Sequence, residues 1–110
     1  MRTGYQVLKP DGTIVESETD WPHAPGYVGI KSLVEPLLDG GTLERVSVLH
    51  NGRATDMFVD GDGVSKGLGV NIEATKIYRA NWLTRYPETD PNTLSAIYGT
   101  AVLFARRIWF

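Results

Sequence analysis

The residues of this chain that could carry chemistry are concentrated in a glycine-rich segment, residues 61–71. The segment joins an apolar run to a helical pattern that follows Asn71, and Lys66 lies within it. Backbone N–H groups at the start of a helix, with a lysine beside them, can bind an anion. The sequence therefore predicts an anion site formed by Lys66, Gly67, Gly69 and Asn71.

A purely structural role for the same segment is the competing hypothesis. Its glycine spacing matches neither of the two common phosphate-binding fingerprints. Glycine also permits positive φ, which a tight crossing from strand to helix requires. On this interpretation the glycines serve the backbone alone and the segment binds nothing.

The acidic residues and histidines form no recognisable metal or catalytic pattern. Asp60 and Asp62 alternate as in a calcium loop, but no register places a glutamate at the twelfth position. His23 and His50 have no partner at metal-ligand spacing. His50 and Asp56 should project from opposite faces of one hairpin, which argues against a catalytic triad. We therefore expect no metal site, no cofactor and no catalytic residue.

Apolar and basic residues on the later strands predict an interaction surface. The turn signal Asn51-Gly52 predicts a hairpin. Its core face carries Val46, Val48, Met57 and Val59, and its other face, which should meet solvent or a partner, carries Arg45, Ser47, Asp56 and Phe58. The last run, residues 100–110, alternates with apolar residues on both sides. The predicted surface comprises Arg45, Phe58, Arg107 and Trp109, and the terminal strand either closes the monomer core or forms a homodimer contact.

An aromatic stripe on the second predicted helix could bind nucleic acid. Tyr78, Trp82 and Tyr86 recur at helical spacing with Arg79 and Arg85 beside them, and such rings can stack on bases. The same spacing is typical of a helix face that packs on the core. We favour the core interpretation.

The pattern of turns and periodicities predicts the elements that position these residues. Strands are expected at 5–9, 13–16, 43–50, 53–59 and 100–110, helices at 28–38 and 72–86, and a short helical turn at 94–97. Asn71 is the predicted N-cap of the second helix. The order ββαββαβ indicates an α+β fold with two principal helices and a mainly antiparallel sheet.

Composition limits the class of protein. The chain has 110 residues, which suits one domain (1–110), and 42% of them are hydrophobic. The formal net charge of −2 argues against nucleic-acid binding through phosphate neutralisation. The chain has no cysteine, and no run of residues is apolar enough for a membrane span or a signal peptide. We expect a cytoplasmic protein.

The second half of the chain resembles a known family. The run Met57-Phe58-Val59-Asp60, then Gly63, Lys66-Gly67-Leu68 and Asn71, and downstream Ile97 and residues 99–104, is similar to the family called domain of unknown function 3846. The first half matches loosely, and residues 79–92 form a longer insert than the family pattern has. The resemblance implies a fold and a setting in bacteria, phages or plasmids, but it implies no catalytic residue.

These observations favour a non-enzymatic interaction or small-ligand-binding protein, as an accessory factor of a mobile element. Two alternatives stay open. One is a nucleic-acid-associated regulator, and the other is an anion- or nucleotide-handling enzyme that uses the glycine segment. The identity of the ligand or partner does not follow from the sequence.

Overall fold

The fold is a five-stranded antiparallel sheet with one helix on each side. The computed structural model describes residues 1–110. The elements are β1 (Arg2–Leu8), β2 (Ile14–Asp20), α1 (Gly26–Leu37), β3 (Leu43–His50), β4 (Arg53–Asp60), α2 (Ile72–Arg85), a 3₁₀ turn (Pro91–Thr93) and β5 (Ala101–Phe104). The strand order is β2-β1-β5-β4-β3. This confirms the α+β class and the order ββαββαβ.

Two hairpins form the two outer parts of the sheet, and their turns follow from local sequence. Between β1 and β2, the N–H of Gly12 donates to the Lys9 carbonyl at 3.0 Å, and Gly12 has a φ of 90°. Between β3 and β4, Asn51 and Gly52 have φ values of 52° and 73°, as a type I′ turn requires. The sequence predicts a turn at Lys9–Gly12 that places Val7 opposite Val15, and the Asn51-Gly52 turn places Val48 opposite Thr55. Both registers are confirmed.

The α2 side of the sheet holds one of two core clusters. Its buried members are Leu8, Val48, Met57, Val59, Ala74, Ala101 and Leu103. The predicted core face of the β3–β4 hairpin is therefore confirmed. The predicted aromatic stripe is only partly buried, because α2 runs along β3 at the edge of the sheet. Trp82 and Tyr86 are 37% and 53% exposed, so the prediction that the whole stripe packs on the core is wrong for these two residues.

The α1 side of the sheet holds the second cluster. Its buried members are Ile30, Val34, Leu38, Phe58, Val102, Phe104 and Ile108. Phe58 is fully buried here and meets Phe104 edge-on, with ring centroids 5.8 Å apart. The expectation that the Phe58 face of the hairpin meets solvent or a partner is therefore wrong, because this chain's own α1 and C-terminal segment cover it. Alternating residue types along a strand show that its two faces differ in polarity. They do not show whether a helix covers the more polar face.

The C-terminal segment is shorter as a strand than predicted. β5 ends at Phe104, and the hydroxyl of Thr55 donates to the Arg106 carbonyl at 3.1 Å where the chain leaves the sheet. Ile108 is buried against the α1 side, whereas Phe110 is 61% exposed. β5 is paired with β1 on one side and with β4 on the other. β5 therefore has no free edge. Ile108 closes the core of the monomer, and a homodimer contact through the C-terminal segment stays a prediction.

The connection from α2 to β5 also differs from the prediction. A single 3₁₀ turn covers Pro91–Thr93, whereas the expected helical turn at residues 94–97 is absent. Asp90 starts that turn by accepting from the N–H of Asn92 at 3.0 Å. Neither α1 nor α2 is long and apolar enough to cross a membrane.

Candidate functional site

Lys66 of the predicted anion site already has an anionic partner. Its Nζ lies 2.7 Å from Oδ2 of Asp60. Asp60 also accepts from the N–H groups of Thr42 at 3.2 Å and Asp62 at 2.9 Å. Burial by itself disfavours the ionised carboxylate, but these hydrogen bonds and the Lys66 charge outweigh it and lower the pKa of Asp60. The pair fixes the start of the glycine segment.

Asn71 is committed to the fold through both ends of its side-chain amide. Nδ2 donates to the carbonyls of Leu8 and Gly99, both at 2.8 Å. Oδ1 accepts from the N–H of Ala74 at 3.1 Å, so the predicted N-cap is confirmed. The side chain is fully buried and joins β1, the N-terminus of α2 and the start of β5. It has no free polar atom directed at a ligand.

The glycines of the segment meet clear backbone requirements. Gly67 has a φ of 68°, a region that side chains disfavour. At Gly63, a Cβ would lie 2.6 Å from the carbonyl oxygen of Tyr98. The adjacent cavity, of about 200 Å³, is lined by the carboxylates of Glu44 and Asp60 but not by Lys66. An anion at Gly67 and Gly69 stays a prediction, and the acids beside the segment oppose it.

The four predicted interaction residues do come together, but they contact one another, and only Phe58 among them is fully buried. The Arg45 guanidinium lies 5.7 Å from the centre of the Trp109 ring, and Phe58 lies 6.3 Å from the same ring. Arg107 donates from Nε to the Trp109 carbonyl at 3.1 Å and lies over the ring of Phe110 at 5.2 Å. The cluster holds the C-terminal segment on the α1 side.

Asp56 organises this cluster, a role that the sequence analysis did not predict. Its Oδ1 accepts from Nε of Arg45 at 2.8 Å, and its Oδ2 accepts from the N–H groups of Ile108 and Trp109 at 2.8 and 2.9 Å. The carboxylate is fully buried. An acidic residue in the middle of an apolar strand was the only available signal.

A groove of about 450 Å³ lies on the part of the sheet that α2 leaves uncovered. We call it the sheet groove. Its walls and floor come from all five strands and the turn between β3 and β4: Gly4, Tyr5, Gln6, Glu16, Ser17, His50, Asn51, Arg53, Thr55, Leu103, Phe104 and Ala105. Gly4 and Ala105 have small side chains or none, which gives the groove its depth.

Opposite charges lie diagonally from each other at two corners of the sheet groove. At the β3–β4 end, His50 pairs directly with Arg53, and Arg53 takes part in no ion pair. At the β2 end, Glu16 accepts from Nε2 of Gln6 at 3.0 Å and has no cationic partner. Glu16 and Arg53 lie three strand spacings apart in the sheet order, about 14 Å across the strands. The register places Glu16 level with Met57, four residues or about 13 Å along β4 from Arg53, so the two backbones are about 19 Å apart. Their side chains shorten that gap.

Sequence reasoning missed the sheet groove because its residues are scattered along the chain. Gln6, Glu16, Arg53 and Leu103 become neighbours only when β5 pairs between the two hairpins. The one signal was that β1 and β2 carry polar residues, Gln6 and Glu16, on the side where Leu8 is buried. Polar side chains at these positions indicate that this face of the sheet is exposed to solvent beyond Leu8.

No protein-family model, curated protein or solved structure matches this chain. Function is therefore inferred from the geometry of its residues. The three carboxyl groups whose pKa is displaced all lie outside the sheet groove. Hydrogen bonds from Thr13 lower the pKa of Asp11, a hydrogen bond from the N-terminal amine lowers that of Asp20, and Asp60 lies at the glycine segment.

Proposed function

We propose that this protein is a non-enzymatic binding protein and that the sheet groove holds its ligand. The carrying observation is the unpaired Arg53 with His50 at one end of the groove and Glu16 at the other. A carboxylate can form two parallel hydrogen bonds with a guanidinium. An ammonium or amide can donate to Glu16. The ligand class that fits is a short zwitterion of dipeptide to tripeptide length.

The dimensions of the sheet groove support this ligand class. A volume of about 450 Å³ lies within the usual range for small-molecule sites. The floor residues Leu103 and Ala105 are apolar, and polar groups stand at both ends. The backbone separation of about 19 Å between Glu16 and Arg53, less the reach of their two side chains, suits charges about 10 Å apart.

Binding without chemical conversion fits the distribution of perturbed groups. Catalytic acids and bases tend to have shifted pKa values within the cleft that binds the substrate. Here the shifted carboxylates hold turns and termini outside the sheet groove. The resemblance to domain of unknown function 3846 adds an expected role as a mobile-element accessory factor, and a cytoplasmic location belongs to the same proposal.

Tri-alanine is the probe that tests the proposed function. We expect it to shift the backbone amide resonances of residues 4–6, 16–17, 50–55 and 103–105. The N-acetylated peptide loses the partner of Glu16, and the C-amidated peptide loses that of Arg53. Each should bind about tenfold more weakly, as expected for one lost charge-assisted hydrogen bond.

Protein variants assign the two ends of the ligand. Arg53→Gln should abolish the preference for a free C-terminus, whereas Arg85→Gln, at an arginine without an ion pair at the end of α2, should leave binding unchanged. Absence of any shift in the sheet groove at about 10 mM peptide, roughly the weakest affinity a specific site would show, would overturn the proposal.

Inorganic phosphate is the probe for the competing anion site. Shifts at residues 66–72 that Lys66→Ala weakens would support the glycine segment as the binding site instead. Shifts elsewhere, or none, would end that prediction.

A further inference from the structure

The outer edge of β2 presents unpaired backbone groups. Hydrogen bonds from the Lys9 N–H to the Thr13 carbonyl at 2.9 Å and from the Trp21 N–H to the Met1 carbonyl at 3.0 Å bracket the β1–β2 hairpin. Bonded and non-bonded pairs alternate between antiparallel strands. Val15, Ser17 and Thr19 therefore bond inward to β1. The residues whose N–H and C=O point outward are Ile14, Glu16, Glu18 and Asp20.

This edge lacks most of the features by which proteins protect an edge strand. β2 pairs with β1 over seven residues in an unbroken register, and its sequence, IVESETD, contains no proline or lysine. It makes its main contacts with β1 alone, and neither helix packs on it. The usual protections are bulges, prolines, charged side chains or a covering helix. Of these, β2 has only charged side chains, and they are acidic.

Those acidic side chains argue against a second copy of this chain as the occupant. In the full-length antiparallel pairing of two β2 strands, Glu16 faces Glu18 of the other copy. A shift by one pair in either direction places Glu16 against Glu16, or Glu18 against Glu18. Like charges directly opposite each other destabilise a strand pair.

We propose that the outer edge of β2 binds an extended basic segment of a partner protein as a sixth strand. Strand addition takes its affinity from main-chain hydrogen bonds and its specificity from alternate side chains. Glu16 has no cationic partner, and Glu18 has only Arg2 at 3.8 Å. The fitting segment therefore carries lysine or arginine at alternate positions, with an apolar residue opposite Ile14, which is 47% exposed. This proposal does not depend on the ligand of the sheet groove.

The test uses an acetylated and amidated peptide, Lys-Thr-Lys-Thr-Lys-Val-Val, designed for antiparallel pairing with β2. In this register the lysine N–H groups face β2 and the threonine N–H groups face away. N-methylation of the second and third lysines should weaken binding at least about tenfold, because two hydrogen bonds are lost. N-methylation of the two threonines, which leaves composition and charge the same, should leave binding unchanged.

Protein-side measurements separate charge from backbone pairing. Binding should slow hydrogen exchange at the amides of Glu16 and Glu18, fall with salt, and weaken about fivefold in the variant with Glu16→Gln and Glu18→Gln. Arg53→Gln should leave peptide binding unchanged, which distinguishes this edge from the sheet groove. Equal loss from both methylated peptides, equal binding of a peptide with glutamate for lysine, or self-association of the protein through β2 would each overturn the proposal.

Discussion

The two hairpins at the edges of the sheet are alike in local structure but opposite in environment. β1–β2 and β3–β4 are both antiparallel pairs closed by short turns with a positive-φ glycine. Both helices contact β3, whereas the main contacts of β2 are with β1. We call β3–β4 the closed hairpin, because helices contact its outer strand, and β1–β2 the open hairpin, because its outer strand has a free edge. Long-range contacts, and not the strands themselves, make this difference.

Two buried polar side chains hold the closed hairpin. Asn81 of α2 accepts from the N–H of Leu49 at 3.0 Å and donates to the carbonyl of Ser47 at 3.1 Å, as a neighbouring strand would. Asp56 fastens the C-terminal segment over the other face. The open hairpin has no equivalent of either residue. Its free edge and the adjacent sheet groove are therefore the surfaces available to ligands and partners.

The largest expected effect is at Asp56. Asp56→Ala leaves Arg45 and the N–H groups of Ile108 and Trp109 without their shared acceptor. We expect a loss of about 3 kcal/mol in the free energy of unfolding, the lower end for a broken buried pair, because Arg45 stays partly exposed. Urea unfolding measures this. Asp11→Ala, at an exposed aspartate of the open hairpin, is the matched control and should change stability far less.

The second effect is at the closed edge. Asn81→Ala removes the partners of the Leu49 N–H and the Ser47 carbonyl, at a cost of about 1–2 kcal/mol in unfolding free energy. Asn81→Asp keeps the acceptor for Leu49 but buries a carboxylate against the Ser47 carbonyl, and should cost at least as much. If both variants kept wild-type stability in thermal and urea unfolding, the hydrogen bonds of Asn81 would not stabilise the outer edge of β3.

The third effect should be the same in both hairpins. Gly12→Ala and Gly52→Ala each force a side chain into positive φ, and neither added Cβ has a neighbour within 4 Å. The cost is therefore backbone strain alone, about 1–2 kcal/mol at each turn. Matched unfolding curves would confirm that the hairpins are alike locally. A cost at one turn several times that at the other would contradict the comparison.

The smallest effect is the dependence of stability on pH. Asp60 and Asp20 both have pKa values below the usual 3.8, so each contributes stability that is present above about pH 3.8 and lost as pH falls through the lowered value. The Asp60 side chain is 3% exposed and that of Asp20 is 77% exposed, so solvent screens Asp20 much more. Asp60→Asn should therefore flatten the acid decline in unfolding free energy more than Asp20→Asn does. The reverse order, measured between about pH 6 and pH 2, would contradict this assignment.

Local signals made much of the fold predictable. The Asn51-Gly52 turn, the Lys9–Gly12 turn and the Asn71 cap depend on residues within a few positions of one another, and all three are confirmed. The order of the elements followed from these signals and from periodicity.

What the sequence could not provide were contacts between distant residues. The insertion of β5 between the hairpins decides that Phe58 is buried and that Glu16 and Arg53 share a groove. Asp56 and Ile108, and Asn81 and Leu49, likewise meet only in the folded chain. The glycine segment looked functional because its composition is distinctive, yet Lys66 and Asn71 each have a partner within the protein.

Native-state hydrogen exchange of two outward-facing amides tests the central claim most directly. Leu49 on β3 and Glu16 on β2 both point away from their own hairpins, but only Leu49 has an acceptor, the side chain of Asn81. The account predicts slow exchange at Leu49, fast exchange at Glu16, and acceleration at Leu49 alone in Asn81→Ala. Equal protection of the two amides in the wild-type protein would contradict the distinction between a closed and an open hairpin.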